Sequence, residues 1–488
     1  MKKALIWKLL ERFGVQGIQF VLQIILARLL DPEHYGVLSL MIIFTTLANV
    51  FIQNGFNTAL IQNKDVTEED YSSVFWVSSS IAAVLYVVLF FAAPVIATFY
   101  EMPDLVVPFR VLCLMLFPGA LNSIQLAKVS REMDFKKVFY SNIGGIVISG
   151  VAGILVSLAG GGLWALVVQT LLNIVAACLV MTFTVKWKLR FVCNLARVKL
   201  LFAFGWKLLV SGLLDTLYQD IRSLVIGRKY NADTLGYYNR GKQFPQFIIN
   251  GINGAIQSVL LPAMSAEQDE KAQVKLLMRN SIALSSYIIF PMMAGLAGVA
   301  TPLVKLLLTD KWLPCVPFLQ IYCFSLAFYP VHTSNLQAIN AMGRSDIFLK
   351  LEMIKKGIGL SALVIAVFCF DSPIAIAMTG AITTISSCFI NAYPNKKLIG
   401  YSYFEQMKDI LPSFIAAIVM CAMVLLVGLL GMSVIATILL QVVVGVGVYV
   451  ALSAIFRLRP FLQILYALKN VLATEKEMYE SDGNDFTN

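Results

Sequence analysis

WKLLERFGVQGIQFVLQIILARLL at residues 7–30 and WKLLVSGLLDTLYQDIRSLVIGRK at residues 206–229 are the two stretches whose reading decides the fold. Each is an apolar run long enough to cross a hydrocarbon core of about 30 Å as a helix. Each also carries polar groups at every third or fourth position. In the first, Lys8, Arg12, Gln16, Gln19 and Gln23 share one helical face. In the second, Lys207, Ser211, Asp215, Tyr218 and Arg222 do the same, 199 residues further on. A cleaved signal segment would not hold Glu11, Arg12 and three glutamines in its apolar part. Both stretches read as membrane spans with a polar stripe.

The correspondence continues along the chain. Arg28 and Gly36 match Arg228 and Gly236, and Asn54-Gly55 matches Asn253-Gly254. VPF at 107–109 returns at 316–318, and REMDF at 131–135 is echoed by RSDIF at 344–348. The offset grows from 199–200 to 209 and then 213. Matches in steady order with small insertions indicate a duplicated six-span unit. Six is even, so the two halves share an orientation and relate by an axis along the membrane normal, with the substrate path between the lobes. The expected organisation is an all-α polytopic fold of about 14 spans: an N-lobe at 1–185, a C-lobe at 200–396, two further spans within 404–456 and a cytoplasmic tail at 457–488.

Composition agrees. The chain is 59% hydrophobic and 14% charged, against roughly 45–50% and 25% for soluble domains. The net charge of +10 does not point to nucleic acid, because most of the 38 basic residues fall in connections on one side of the spans, among them Lys128, Arg131, Arg197, Lys275, Lys355 and Lys356. The opposite connections, DPEH at 31–34, YEMPD at 100–104, AGGG at 159–162 and FDSP at 370–373, are poor in lysine and arginine. That asymmetry puts both termini in the cytoplasm. Eight scattered cysteines without a CxxC, and two histidines, give no expectation of disulfides or a metal site. The tail after Leu472 is acidic and polar, and is expected to be disordered.

The eighth span adds Asn239, Gln243, Gln246, Asn250, Asn253 and Gln257 on one face, and the second adds Thr46, Asn49, Gln53 and Asn57. Such faces cannot look at lipid, where an ionised group at mid-membrane costs several kcal/mol. They either bridge helices or line a hydrated cavity. For the cavity, the amides suit sugar hydroxyls, Tyr218, Tyr237 and Tyr238 offer ring faces, and Arg12, Lys207, Arg222 and Arg240 suit a phosphate group. The expected substrate contacts are Arg12, Gln16, Gln19, Gln23, Lys207, Asp215, Tyr218, Arg222, Arg240, Gln243, Asn250 and Asn253. No resident cofactor is expected; Asp215 is the candidate for proton or sodium coupling. Pro245 should kink the eighth span, and the REMDF and GRSD connections are read as helix caps. The longest outer connection, around 301–315, holds only Lys305, Asp310 and Lys311 as ionisable residues. No nucleophile, base or metal constellation stands out, so an enzyme is not expected.

ERFGVQGIQFVLQIILARLLDPEHYG, FIQNGFNTALIQNKDVTEEDYSSVFW and SGLLDTLYQDIRSLVIGRKYNADTLGYYNRGKQFP together resemble the polysaccharide transporters of the MOP superfamily, in particular Wzx-like flippases and exporters for O-antigen, colanic-acid or teichuronic-acid polymers. The resemblance spans nearly the whole chain. It implies translocation of an undecaprenyl-pyrophosphate-linked oligosaccharide across the bacterial inner membrane by alternating access, through a cationic cavity. It also implies partners among membrane lipids, a polysaccharide polymerase and glycosyltransferases, and a monomer. The competing readings are a drug or cation antiporter of the same superfamily and a membrane glycosyltransferase or polymerase.

Overall fold

The computed structural model describes residues 14–466 apart from 54, 55, 64, 186 and 188, together with 469. The expectations for Lys8, Arg12, the Asn54-Gly55 match and the tail after Leu472 lie outside these residues.

All described regular structure is helical: α1 Gln16–Leu29, α2 Pro32–Gln53, α3 Phe56–Gln62, α4 Glu68–Tyr100, α5 Val106–Leu112, α6 Leu116–Glu132, α7 Phe135–Leu158, α8 Leu163–Thr184, α9 Leu195–Lys229, α10 Ala232–Ala266, α11 Lys271–Gly298, α12 Ala300–Leu308, α13 Val316–Ala327, α14 Tyr329–Ala341, α15 Ser345–Cys369, α16 Pro373–Leu398, α17 Tyr403–Gly428 and α18 Val434–Ile455. Among the described residues, 11 helices are long and apolar enough to cross a membrane, or 12 if the bent α9 is one span. Helices also occupy the two remaining expected positions. One is the 14-residue α1; the other is α15, which keeps Glu352, Lys355 and Lys356 in its middle. Helices are the required solution where backbone groups cannot bond to solvent, and the exposed Val84, Phe91, Leu155, Leu439 and Val443 are side chains suited to lipid.

The chain forms two compact units, Met1–Arg240 with Leu307–Pro314, and Gly241–Leu306 with Cys315–Asn488. The lobe boundary read from the repeat falls at 185–200, whereas the unit boundary in the chain falls inside α10, so α9 belongs to the first unit. In that unit, Val198 and Leu201 of α9 share a core with Phe56, Leu60, Tyr71, Val74, Ile124 and Ala127. A capping box starts α4: Thr67 Oγ1 accepts from the Asp70 N–H while Asp70 Oδ2 accepts from the Thr67 N–H. The same carboxylate takes Arg197 in a bidentate pair at 3.0 and 2.9 Å, which fixes the beginning of α9. In the second unit the arrangement recurs, again with the capping-box carboxylate holding a base from another helix. Ser402 and Glu405 form the capping box of α17, Glu405 takes Lys275 of α11 at 3.1 Å, and Asp409 takes Arg279 at 2.6 Å.

α10 runs through Pro245 and Pro262 as a continuous helix. A bend of 57° lies in α9, between Leu195–Ala203 and Gly205–Lys229, next to a glycine that weakens the helix. One expectation needs correction. Lys355 is not a loop residue that sets topology. It sits within α15, 6% exposed, with Nζ 2.5 Å from Glu352. The capping role expected of REMDF is present, since Arg131 donates to the Leu60 and Asn63 carbonyls at the end of α3.

Candidate functional site

The polar stripe of α9 changes exposure along its length. Lys207 and Ser211 are exposed, Asp215 and Tyr218 are half-buried, and Arg222 is 8% exposed, with its guanidinium 5.7 Å from the Tyr218 ring centroid. On α1, Gln16 is half-buried, Gln19 exposed and Gln23 half-buried, and the helix then buries Leu26 and Ala27. On α2, Thr46 is exposed and Asn49 half-buried. These helices all belong to the first unit. Their polar faces are open in the middle of the helices and close toward the end where α1 finishes, α2 begins and α9 meets α10.

Arg240 lies at that closed end. It is 5% exposed, with its guanidinium 4.4 Å from the Tyr35 ring centroid and 5.1 Å from that of Trp312. The flat cation is thus held against two aromatic faces. Trp312 itself is fully buried, packs edge-on to Tyr35 at 5.3 Å, and donates from Nε1 to the Ala27 carbonyl at 2.8 Å. Tyr238, read as a ring face for sugars, is 1% exposed. Tyr237 meets Trp312 at 6.1 Å.

In the second unit, Gln243 and Asn250 are exposed on α10, and Gln246 donates to Asn250 at 3.0 Å. Asn253 is buried and accepts from Thr333 of α14 at 2.9 Å, as an amide bridging two helices does. A second polar group there was not read as a site. Asn335, Asn395 and Gln406 are all fully buried, with Asn335 bonded to each of the other two at 2.8–3.0 Å, and Asn391 meets His332 at 3.2 Å. With the Lys355–Glu352 pair, these are the buried polar groups that scattered single letters in apolar runs do not disclose. Trp312 was missed for a different reason: a lone tryptophan in a short polar connection has no periodicity to betray its burial. Among the described residues, no group of three or more His, Cys, Asp and Glu could hold a metal ion.

Fold and faces together define an all-helical, multi-pass membrane protein that carries polar faces on its spans. The structure is similar to that of the lipid II flippase MurJ in an inward closed conformation, with a TM-score of 0.72 at 15% identity over 93% of this chain and 99% of that one. It is also similar to an inward-facing multidrug resistance MATE transporter, with a TM-score of 0.61 at 15% identity over 80% and 98%. The chain belongs to the polysaccharide biosynthesis protein family, whose model matches residues 25–317. Among relatives, it is 26% identical to the teichuronic acid biosynthesis protein TuaB of Bacillus subtilis over 70% of this chain and 71% of that one. It is 23% identical to the succinoglycan biosynthesis transport protein ExoT of Rhizobium meliloti over 83% and 80%, and 24% identical to the lipopolysaccharide biosynthesis protein WzxC of Escherichia coli over 84% of each. The family resemblance read from the sequence therefore holds.

Proposed function

We propose that this protein moves an undecaprenyl-pyrophosphate-linked oligosaccharide from the cytoplasmic to the outer face of a bacterial inner membrane by alternating access, with both termini in the cytoplasm. The reading is supported by family membership and by relatives named for polysaccharide biosynthesis and transport. One structural observation carries it: polar side chains are exposed at depths where lipid cannot solvate them. Gln19 lies ten residues from the end of α1, about 15 Å in, and Thr46 lies fourteen residues into α2, about 21 Å in. Water or a polar cargo must meet them. In this reading Lys207 and Arg222 receive the pyrophosphate, and Gln19 and Gln23 meet sugar hydroxyls. Asp215, half-buried on the same face of α9, is the proposed proton or sodium coupling site. Glycosyltransferases that assemble the lipid-linked unit and a polymerase that consumes it are the partners this role calls for.

Deleting the gene should cause lipid-linked oligosaccharide to accumulate facing the cytoplasm. Normal surface polymer in the deletion strain, with no paralogue covering the loss, would sink the proposal. Lys207→Ala and Arg222→Ala, at unchanged protein level, should each reduce export; full export from both would remove the cationic path.

A further inference from the structure

Arg28 and Arg228, which served above only to mark the repeat, occupy matching places in the fold. Each closes the last turn of the first helix of its repeat, α1 and α9. Each is held by the outer connection of the other repeat. Arg228 pairs with Glu101, the residue that ends α4, at 2.9 Å, and lies 5.1 Å from the Phe99 ring centroid. Arg28 donates from Nε to the Leu307 carbonyl in the last turn of α12 at 2.8 Å. The exchange is reciprocal on this second side. Lys311 donates to the Arg28 carbonyl at 3.1 Å, lies 3.3 Å from Asp31, and Trp312 donates to the Ala27 carbonyl. Carbonyls in the last turn of a helix have no partner within it, so two helix ends here cap one another.

Between these clasps the repeats touch backbone to backbone. A Cβ on Gly36 of α2 would stand 1.8 Å from the Ala232 carbonyl oxygen of α10, and one on Gly236 would stand 2.2 Å from that of Pro32. Only glycine at both repeat-related positions permits this crossing. Arg240, one turn beyond Gly236, fills the space beneath it against Tyr35 and Trp312.

We infer that these contacts form a crossed seal that closes the outer end of the translocation path: each repeat's first helix is clasped by the other repeat's outer connection, the glycine pair forms the crossing, and Trp312 is the plug. The inference rests on the transport direction proposed above. The gradient of exposure on α9 supports it, because the stripe is open at Lys207 and Ser211 and shut at Arg222, next to the clasps. Cargo leaves on this side only when Trp312 withdraws from Ala27 and the clasps at Arg28 and Arg228 release.

Two measurements test the seal, in a background with the exposed Cys193 and Cys369 replaced by serine. Ser39→Cys, one turn deeper on α2 than Tyr35, should react slowly with a membrane-impermeant maleimide added from outside. Adding Trp312→Ala, or the milder Lys311→Ala should the first variant not fold, should speed labelling roughly tenfold or more. Unchanged labelling overturns the seal whatever the cargo is. In the second test, Arg28→Cys and Leu307→Cys are joined by a short bifunctional methanethiosulfonate. Export should stop and return on reduction. Full export from the joined protein overturns the seal and leaves the proposed function standing, whereas normal surface polymer in the deletion strain overturns the function without touching the labelling result.

Discussion

The two clasps occupy matching places yet are built from different chemistry. At Arg228 the pair with Glu101 stands in solvent, 47% and 76% exposed, where an ion pair contributes about 0–1 kcal/mol and weakens with salt. At Arg28 the partners are carbonyls, and a fully buried tryptophan completes the contact. Duplication supplied the same frame twice; divergence moved most of the holding energy to one side. What this teaches is that matched positions in a repeat predict place and not strength. The side with the buried indole should govern opening, and the exposed side should tune it.

The comparison breaks most directly at Trp312. Trp312→Ala should destabilise the closed form by about 3–5 kcal/mol, the range for emptying a large buried aromatic site, read as a fall in the melting temperature of the detergent-solubilised protein. A loss no larger than that from Glu101→Gln would show the two sides to be equal. Next comes the crossing. Gly236→Ala forces a methyl group against the Pro32 carbonyl, and overpacking of this kind costs about 1–3 kcal/mol. Gly17→Ala, where nothing lies within 4 Å of the added carbon, is the matched control and should melt as the parent does. Glu101→Gln ranks third, changing stability by less than about 1 kcal/mol; in a salt titration of labelling at Ser39→Cys, the small salt dependence present with Glu101 should be absent with Glu101→Gln.

How much of this was legible beforehand follows the same divide between place and strength. The spans, the duplication and the polar faces all rest on periodicity and count, which a single chain displays. Arg28, Gly36, Arg228 and Gly236 were visible as matches, but a match says nothing of what it touches. Contacts such as Trp312 to Ala27 join residues 285 positions apart, and no local pattern encodes them. Lys355 was misread because a lysine near a span boundary is indistinguishable in sequence from one that reaches the interface, until Glu352 one turn away is seen to hold it inside.

The two echoed connections, REMDF and RSDIF, give the smallest effect and the cleanest contrast. Arg131 crosses to the end of α3 and caps it, whereas Arg344 turns back on Asp346 two residues away, through two bonds of 2.9 Å. The guanidinium holds the Asp346 carboxyl down from 3.8 to about 2. Because the folded value is depressed, any stability from this pair is complete above the ordinary carboxylate value and is lost only as pH falls through about 2. Melting of Asp346→Asn and of the parent should therefore run parallel from neutral pH down to about 4 and converge only below it. Arg131→Ala removes bonds to two backbone carbonyls, which do not titrate, so the effect of losing that cap should be constant across the same range. A pH-dependent difference for Arg131→Ala between neutrality and pH 4 would mean that the two repeats use this connection alike, contrary to the division of roles drawn from their partners.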